Sequence, residues 1–283
     1  MERNETIDSE IVITRENLPE WMAKVASLRE EKRKDMEALK LARKVREEAL
    51  KLESHEDVVN LYWEDYLIGK HILMHARDEE TDSFKKARQF AQGFSLMRSS
   101  AKSGFEYANQ HGVEKLKPRT HRFSGEIAMI SRDYQSAIKH FETGIRLYEK
   151  MENPEERWNT LEFQGFLAEA LVLSGKVKEG VDLAQETFGQ YDWSDDGLLM
   201  KGEAYYQWAV WKSGCMTKLW NALLEKGGKK IPISESKKSE LVVMLLLAEG
   251  ALRFADGSEK QGDFDFGIRK AEIGKIKKRL GLT

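Results

Sequence analysis

Six histidines, one cysteine and a few paired acids are the side chains of this 283-residue chain that could do chemistry, and their spacing decides how far each can go. His71 and His75 stand four apart, which puts two imidazoles on one helix face where they could share a metal ion. His71 is followed by Ile72, Leu73 and Met74 rather than by the glutamate of a zinc-protease helix, so the pair reads as packed helix and no metal site is expected. Asp195-Asp196 and Asp263 with Asp265 lack the spaced ligands of a calcium loop and read as helix caps. Gly262 to Gly267 lies among acids that would repel phosphate, and no Gly-x-Ser-x-Gly elbow occurs. Cys215 stands alone, which excludes an intrachain disulfide and a cysteine metal cluster and suits a reducing compartment. No catalytic residue and no cofactor is nominated, so the expectation is a protein that is not an enzyme.

Two groups could bind rather than react. Arg269, Lys270, Lys275, Lys277, Lys278 and Arg279 surround a last helix whose other side carries Ile273, Ile276 and Leu280. Local positive charge of this kind can release counterions from a nucleic acid, but aromatic residues do not interleave with it. The formal net charge of −2, with 33% charged residues, supplies no wider attraction to nucleic acid or membrane. Capping a helical array is the plainer role for that helix. Trp208 and Trp211, three apart, fit a helix seam better than an exposed peptide platform.

These residues need elements to position them, and the sequence points to helices throughout. Prolines occur at only four positions, Pro19, Pro118, Pro154 and Pro232, leaving long stretches without a breaker. Residues 1–17 read as a lead-in, with Glu10 to Thr14 able to pair as a short strand or pack as an arm. Pro19 suits a first helical turn, and the charged run Arg29 to Asp35 reads as solvated helix. Met36, Leu39, Ala42, Val45, Ala49 and Leu52 recur at helical spacing, and Ser54 with Asp57 resembles a capping box before another helix. Phe84, Ala87, Ala91, Phe94, Ala101, Phe105 and Ala108 form the longest apolar stripe, predicted to pack on a neighbour. Past the loop marked by Gly227-Gly228 and Pro232, Leu241, Val242, Leu245, Leu246, Ala248 and Leu252 predict a largely buried helix. The N-terminus is acidic and lacks an apolar core, and the longest apolar run, Leu241 to Ala248, falls short of a bilayer span. A cytoplasmic location is expected.

The stretch Phe123 to Phe141 reads as one helix–turn–helix unit, with Asp133 capping the second helix. A shift of 43 residues places Phe123 on Phe166, Gly125 on Ala168, Glu126 on Glu169, Ala128 on Leu171, Ser131 on Ser174, Ala137 on Gly180 and Tyr148 on Tyr191. Small residues match small ones and apolar match apolar. Gly125, Ala128, Asp133, Tyr134, Ala137 and Phe141, followed by Ala168, Leu171, Gly175, Val177, Gly180 and Ala184, resemble the tetratricopeptide repeat family. The match departs from that family in its 43-residue period, in His121 where tryptophan is usual and in Gly144 where a late alanine is usual. A third copy is expected from Ser194, with Leu199, Gly202, Tyr205, Tyr206 and Ala209 on one helix and Leu219, Leu223 and Leu224 on the next.

The resemblance implies an all-α fold, a superhelix of tetratricopeptide-like hairpins with long helices and a terminal capping helix. The expected division is residues 1–35 as lead-in and charged helix, 36–255 as repeats and 256–283 as basic cap. It also implies a concave groove that takes a protein or peptide, so a scaffold or adaptor is the expected function, with a nucleic-acid-associated regulator working through the basic helix as the alternative. Carrying the family's groove positions onto matching residues names Arg119, Arg122, Glu126 and Met129 in one unit and Glu162, Glu169 and Val172 in the next. Glu126 and Glu169 argue against clamping a terminal carboxylate and point to a partner segment with basic and apolar residues.

Overall fold

The computed structural model describes residues 12–31, 34–78, 80–151, 157–191, 203–228, 230–256 and 266–282, and for 78, 157–158, 203–208, 254–256 and 266–268 it describes the backbone alone. Among the described residues the regular structure is helical: α1 Leu18–Glu30, α2 Asp35–Lys51, α3 His55–Asp78, α4 Ser83–Gln110, α5 Lys117–Ile130, α6 Tyr134–Glu149, α7 Arg157–Ser174, α8 Val177–Gln190, α9 Glu203–Gly227, α10 Glu235–Asp256 and α11 Phe266–Leu280, with a 3-10 turn at Glu114–Leu116 before α5. None of these helices is long and apolar enough to cross a membrane. The chain forms two compact units, Met1–Ile127 and Ala128–Thr283.

Helix starts follow local chemistry. Pro19 opens α1, where its missing N–H leaves one orphan donor fewer, and the Asp82 carboxylate, which accepts from Phe84 N and Lys85 N at 2.9 Å, and that of Asp133, which accepts from Ser136 N at 3.1 Å, satisfy amides that a helix start leaves orphaned. The expected box at Ser54 closes differently, because its hydroxyl donates to the Asp57 carboxylate at 2.5 Å instead of accepting from the helix. Four helix ends before the last share one turn, and the end of α11 repeats it, with Leu282 N on Lys277 O after Gly281 at positive φ. Ser54 N bonds Ala49 O, Val113 N bonds Ala108 O, Asp133 N bonds Ala128 O and Lys176 N bonds Leu171 O. The residue before each of these donors, Glu53, Gly112, Arg132 and Gly175, has positive φ, the Schellman arrangement. The turns at Arg132 and Gly175 stand 43 residues apart, the offset read from the sequence.

In the first unit α1 and α2 pack on α3, which pairs along its length with α4. The lead-in anchors through Ile13, buried with Val25, Leu28, Ala42 and Leu61. Of the described residues of the charged run, Glu30 and Glu31 are exposed as expected, but the run is not continuous helix. It breaks α1 from α2, Arg29 turns inward to pair with Glu64 of α3, and burial raises the Asp35 carboxyl against the pull of His75 and His71. The α3–α4 contact is closest where two glycines meet: a Cβ on Gly93 would lie 2.6 Å from Gly69 O, and one on Gly69 would lie 2.8 Å from Gly93 O. That contact fits the expectation that α4 packs closely on a neighbour and corrects only which side chains face it. The buried face of α4 is Gly93, Met97, Ser100, Ala101, Gly104 and Ala108, so of the predicted stripe Ala101 and Ala108 are buried and Phe94 packs partly buried against the core, whereas Ala87 and Ala91 face outward and Phe84 is 77% exposed. Small residues win the interface because they admit a neighbouring backbone.

In the second unit α7 packs on α6, α8 and α9, while α9 also contacts α8, α10 and α11. Phe141 stacks on Phe166 at 5.5 Å between centroids and meets Phe163 edge-on. Gly144 makes this possible, since a Cβ there would fall 2.1 Å from Phe163 Cε1. Gly180 does the same for α7 and α8, with Ala168 O 2.6 Å from the Cβ position. The expected third copy is corrected: Ala209 and Leu219 to Leu224 share one unbroken helix, α9, and its hairpin partner is α10. Ala209, Cys215, Met216, Leu219, Trp220 and Leu223 form a continuous buried face, which Gly214 alone does not interrupt. Leu199 and Gly202 lie outside the described residues. On α10 the buried residues are Leu241, Leu245, Ala248 and Leu252, whereas Val243, Leu246 and Leu247 on the opposite side are exposed. Ile273 and Ile276 bury α11 against this core.

Candidate functional site

Three of the expected groove residues come together in the first unit, on the face of α5 turned toward α3. Trp63, Tyr66 and Lys70 recur on α3 at steps of three and four, and Arg119, Arg122 and Glu126 recur on α5 with the same steps, so the two helices meet rung by rung. The Arg119 guanidinium carbon lies 4.3 Å above the Trp63 ring. Tyr66 stacks on Phe123, the neighbour of Arg122, at 4.0 Å. Lys70 Nζ donates to Glu126 Oε2 at 2.6 Å, and Arg122 Nε donates to Glu126 Oε1 at 3.0 Å.

Glu126 is 7% exposed. Burial alone would push its carboxyl up, but Lys70 and Arg122 overcome that and hold it at about 2. The same carboxylate, added to burial, pushes the Tyr66 phenol well above its ordinary range. Glu126 is therefore an internal anion that fixes two cations, which corrects its reading as an acid presented to a basic partner.

Above this ladder opens a cavity of about 410 Å³. Met22 of α1 closes one side, Asn60, Trp63, Glu64 and Leu67 of α3 form the floor, and Arg119, Arg122 and Phe123 of α5 form the other wall. Its size falls within the range of about 300–1,000 Å³ usual for ligand pockets, and apolar walls with a few convergent polar groups are the usual lining. Glu64 is paired with Arg29, and burial raises its carboxyl against that pairing. A second hollow of about 400 Å³ runs along α2 past Met36, Leu39, Lys40 and Arg43, where the side chains belong to one helix and converge on nothing.

The other expected groove residues lie in the second unit and do not form one open surface. Val172 is fully buried, with its Cγ2 2.7 Å from where a Cβ on Gly180 would stand, so it belongs to the α7–α8 seam. Met129 is half-buried against the apolar core. Glu162 and Glu169 are half-buried on α7, seven residues apart. Sequence reasoning missed Trp63, Asn60 and Glu64, which the three-and-four stepping of α3 could have offered as partners for α5.

The remaining chemistry-bearing groups are absorbed by packing. His71 Nδ1 sits 3.1 Å from Arg29 O. Cys215 is buried, which pushes its thiol up to about 12 against a weaker pull from Lys218, and at that value little thiolate forms. On α11, Arg269 donates to Thr217 and Glu272, Lys277 to Glu249 and Arg279 to Leu224 O. These contacts tie α11 to α9 and α10, while Lys275, Lys278 and Arg279 are exposed. Trp211 is half-buried against the core, while the side chain of Trp208, the acids at 195–196 and 263–265 and most of Gly262 to Gly267 lie outside the described residues. Compared with known proteins, the chain matches no family model and no curated protein sequence.

Proposed function

We propose that this protein is a non-enzymatic binding module, a helical scaffold of tetratricopeptide-like hairpins that holds a segment of another protein. The observation that carries the reading is the cavity between α1, α3 and α5, where two guanidinium groups stand beside an aromatic floor. Arg122 is oriented by a buried carboxylate and Arg119 by an indole, so both are placed before any ligand arrives, which lowers the ordering cost of binding. Glu64 and Arg122 at the cavity are joined in ion pairs, with Arg29 and with Glu126, an arrangement that suits recognition better than proton transfer. The repeated turn at Ala128 to Asp133 and Leu171 to Lys176 supports the hairpin-repeat reading.

The alternative, a nucleic-acid-associated protein using α11, has less support, because Arg269, Lys277 and Arg279 are engaged with their own fold. Affinity capture from a native lysate with the wild type and with Arg119→Ala tests the proposal. Proteins retained by the wild type should be lost with the variant, while circular dichroism and the melting temperature stay unchanged. An identical retained set would overturn the assignment of the site.

A further inference from the structure

We propose that α10 is the seat of a symmetric dimer, its outer face pairing antiparallel with the same helix of a second copy of this chain. Val243, Leu246 and Leu247 on that face are 55%, 44% and 58% exposed, while Leu241, Leu245, Ala248 and Leu252 on the opposite side are buried in the core of the second unit. One flank of α10 is held by α8, through Gln185 to Glu240 and Met244, and the other by α11, through Lys277 to Glu249. Single exposed aliphatic residues are ordinary on a protein surface, so three of them in two turns do not by themselves name a partner.

The order of residues along the face does. Glu240, Val243, Leu246, Leu247, Gly250 and Arg253 are all exposed and follow one another at steps of three, three, one, three and three, a spacing that reads the same in both directions. At 3.6 residues per turn the six fall within about 140° of the helix circumference. A two-fold axis between Leu246 and Leu247 therefore sets Val243 opposite Gly250 of the second copy, gathers the leucines at the centre and puts Glu240 at the level of the second copy's Arg253. Opposite charges then meet across the seam at both ends, whereas a parallel pair would set glutamate on glutamate and arginine on arginine. Within one chain Glu240 pairs with Lys237 and Arg253 with Glu249, but both side chains stay more than half exposed, and such surface pairs hold little free energy.

Gly250 points the same way. Glycine inside a helix is disfavoured against alanine, and Gly93, Gly144 and Gly180 each occur where a neighbour comes close. A Cβ at Gly250 would meet nothing within 4 Å, so no contact of its own chain requires the gap. Val243 of a second copy fills it and brings the two axes to the near end of the range of about 8–10 Å. Gly274 on α11 is equally open, but its exposed neighbours are Ala271, Lys275 and Lys278, with no aliphatic stripe beside them. About four turns of one helix fall short of the roughly 800 Å² that each partner gives to a stable interface, so the dimer is reversible, with a dissociation constant on the order of 10 µM.

Sedimentation velocity of the 283-residue chain, from about 1 to 300 µM, tests the interface. The wild type should pass from monomer to dimer across that range. Leu247→Glu, which sets two like charges beside the axis, should stay monomeric while its circular dichroism and melting temperature match the wild type. Glu240→Arg and Arg253→Glu should each weaken dimerisation about tenfold, and an equal mixture of the two should regain it, because each copy then meets opposite charge at both ends. A wild type that stays monomeric overturns the second copy as occupant and leaves the face to another partner or to a segment of its own chain. A dimer indifferent to Leu247→Glu and to both charge changes lies elsewhere and overturns the proposal too. Should Leu247→Glu fail to fold, the charge variants and their mixture decide alone. None of these results bears on the cavity of the first unit.

Discussion

Glu126 concentrates the electrostatics of the first unit in one side chain. Its carboxyl ordinarily titrates near 4.5 and is held at about 2, so between these values the unfolded chain binds a proton that the folded chain refuses. The resulting stability is fully present above pH 4.5 and is lost as pH falls through about 2, a difference on the order of 3 kcal/mol. Glu126→Gln should cost about 3 kcal/mol at pH 7, because Lys70 and Arg122 keep their charge and lose their partner. Urea denaturation across a pH series checks both statements, and the variant should lack the wild-type decline at the acid end. Position 126 shows what spacing can and cannot reveal. The i, i+3, i+7 alignment of Arg119, Arg122 and Glu126 was legible in the chain, but whether that face met solvent or another helix depended on Trp63 and Lys70, more than fifty residues earlier.

At the scale of helices, the α6–α7 contact sets shape against propensity. Gly144→Ala gains up to about 1 kcal/mol of intrinsic helix preference, yet its methyl would stand 2.1 Å from the Phe163 ring. Overpacking costs about 1–3 kcal/mol, so the variant should be net destabilised. Phe141→Ala, which empties the space between Phe163 and Phe166, should cost about 3–5 kcal/mol, while Lys139→Ala on the exposed side should fall within about 0.5 kcal/mol of wild type. Chemical denaturation of the three variants decides the matter, and equal small losses would refute the assigned packing. The helices α5 to α8 could be read in advance because small and aromatic residues recur together at one offset. Elsewhere the signal misled for identifiable reasons: the stripe of α4 leaves Phe84 exposed at its start, α9 runs through a glycine, and two of the five shared turns place Glu53 and Arg132 where glycine would have announced a helix end.

For the molecule as a whole, the division into Met1–Ile127 and Ala128–Thr283 gives damage a place. In hydrogen-exchange measurements Phe141→Ala should lower the protection of amides in α6, α7 and α8, while those in α2, α3 and α4 keep theirs. Uniform loss along the chain would show one cooperative fold. The glycine crossing of α3 and α4 has a mechanical consequence for the first unit. Sliding α4 by one turn, about 5.4 Å, would carry Gln89 or Met97 to the point now held by Gly93, where even a Cβ meets Gly69 O at 2.6 Å. The crossing acts as a detent with a single setting. The hairpin can transmit a push from one end to the other, but it cannot telescope.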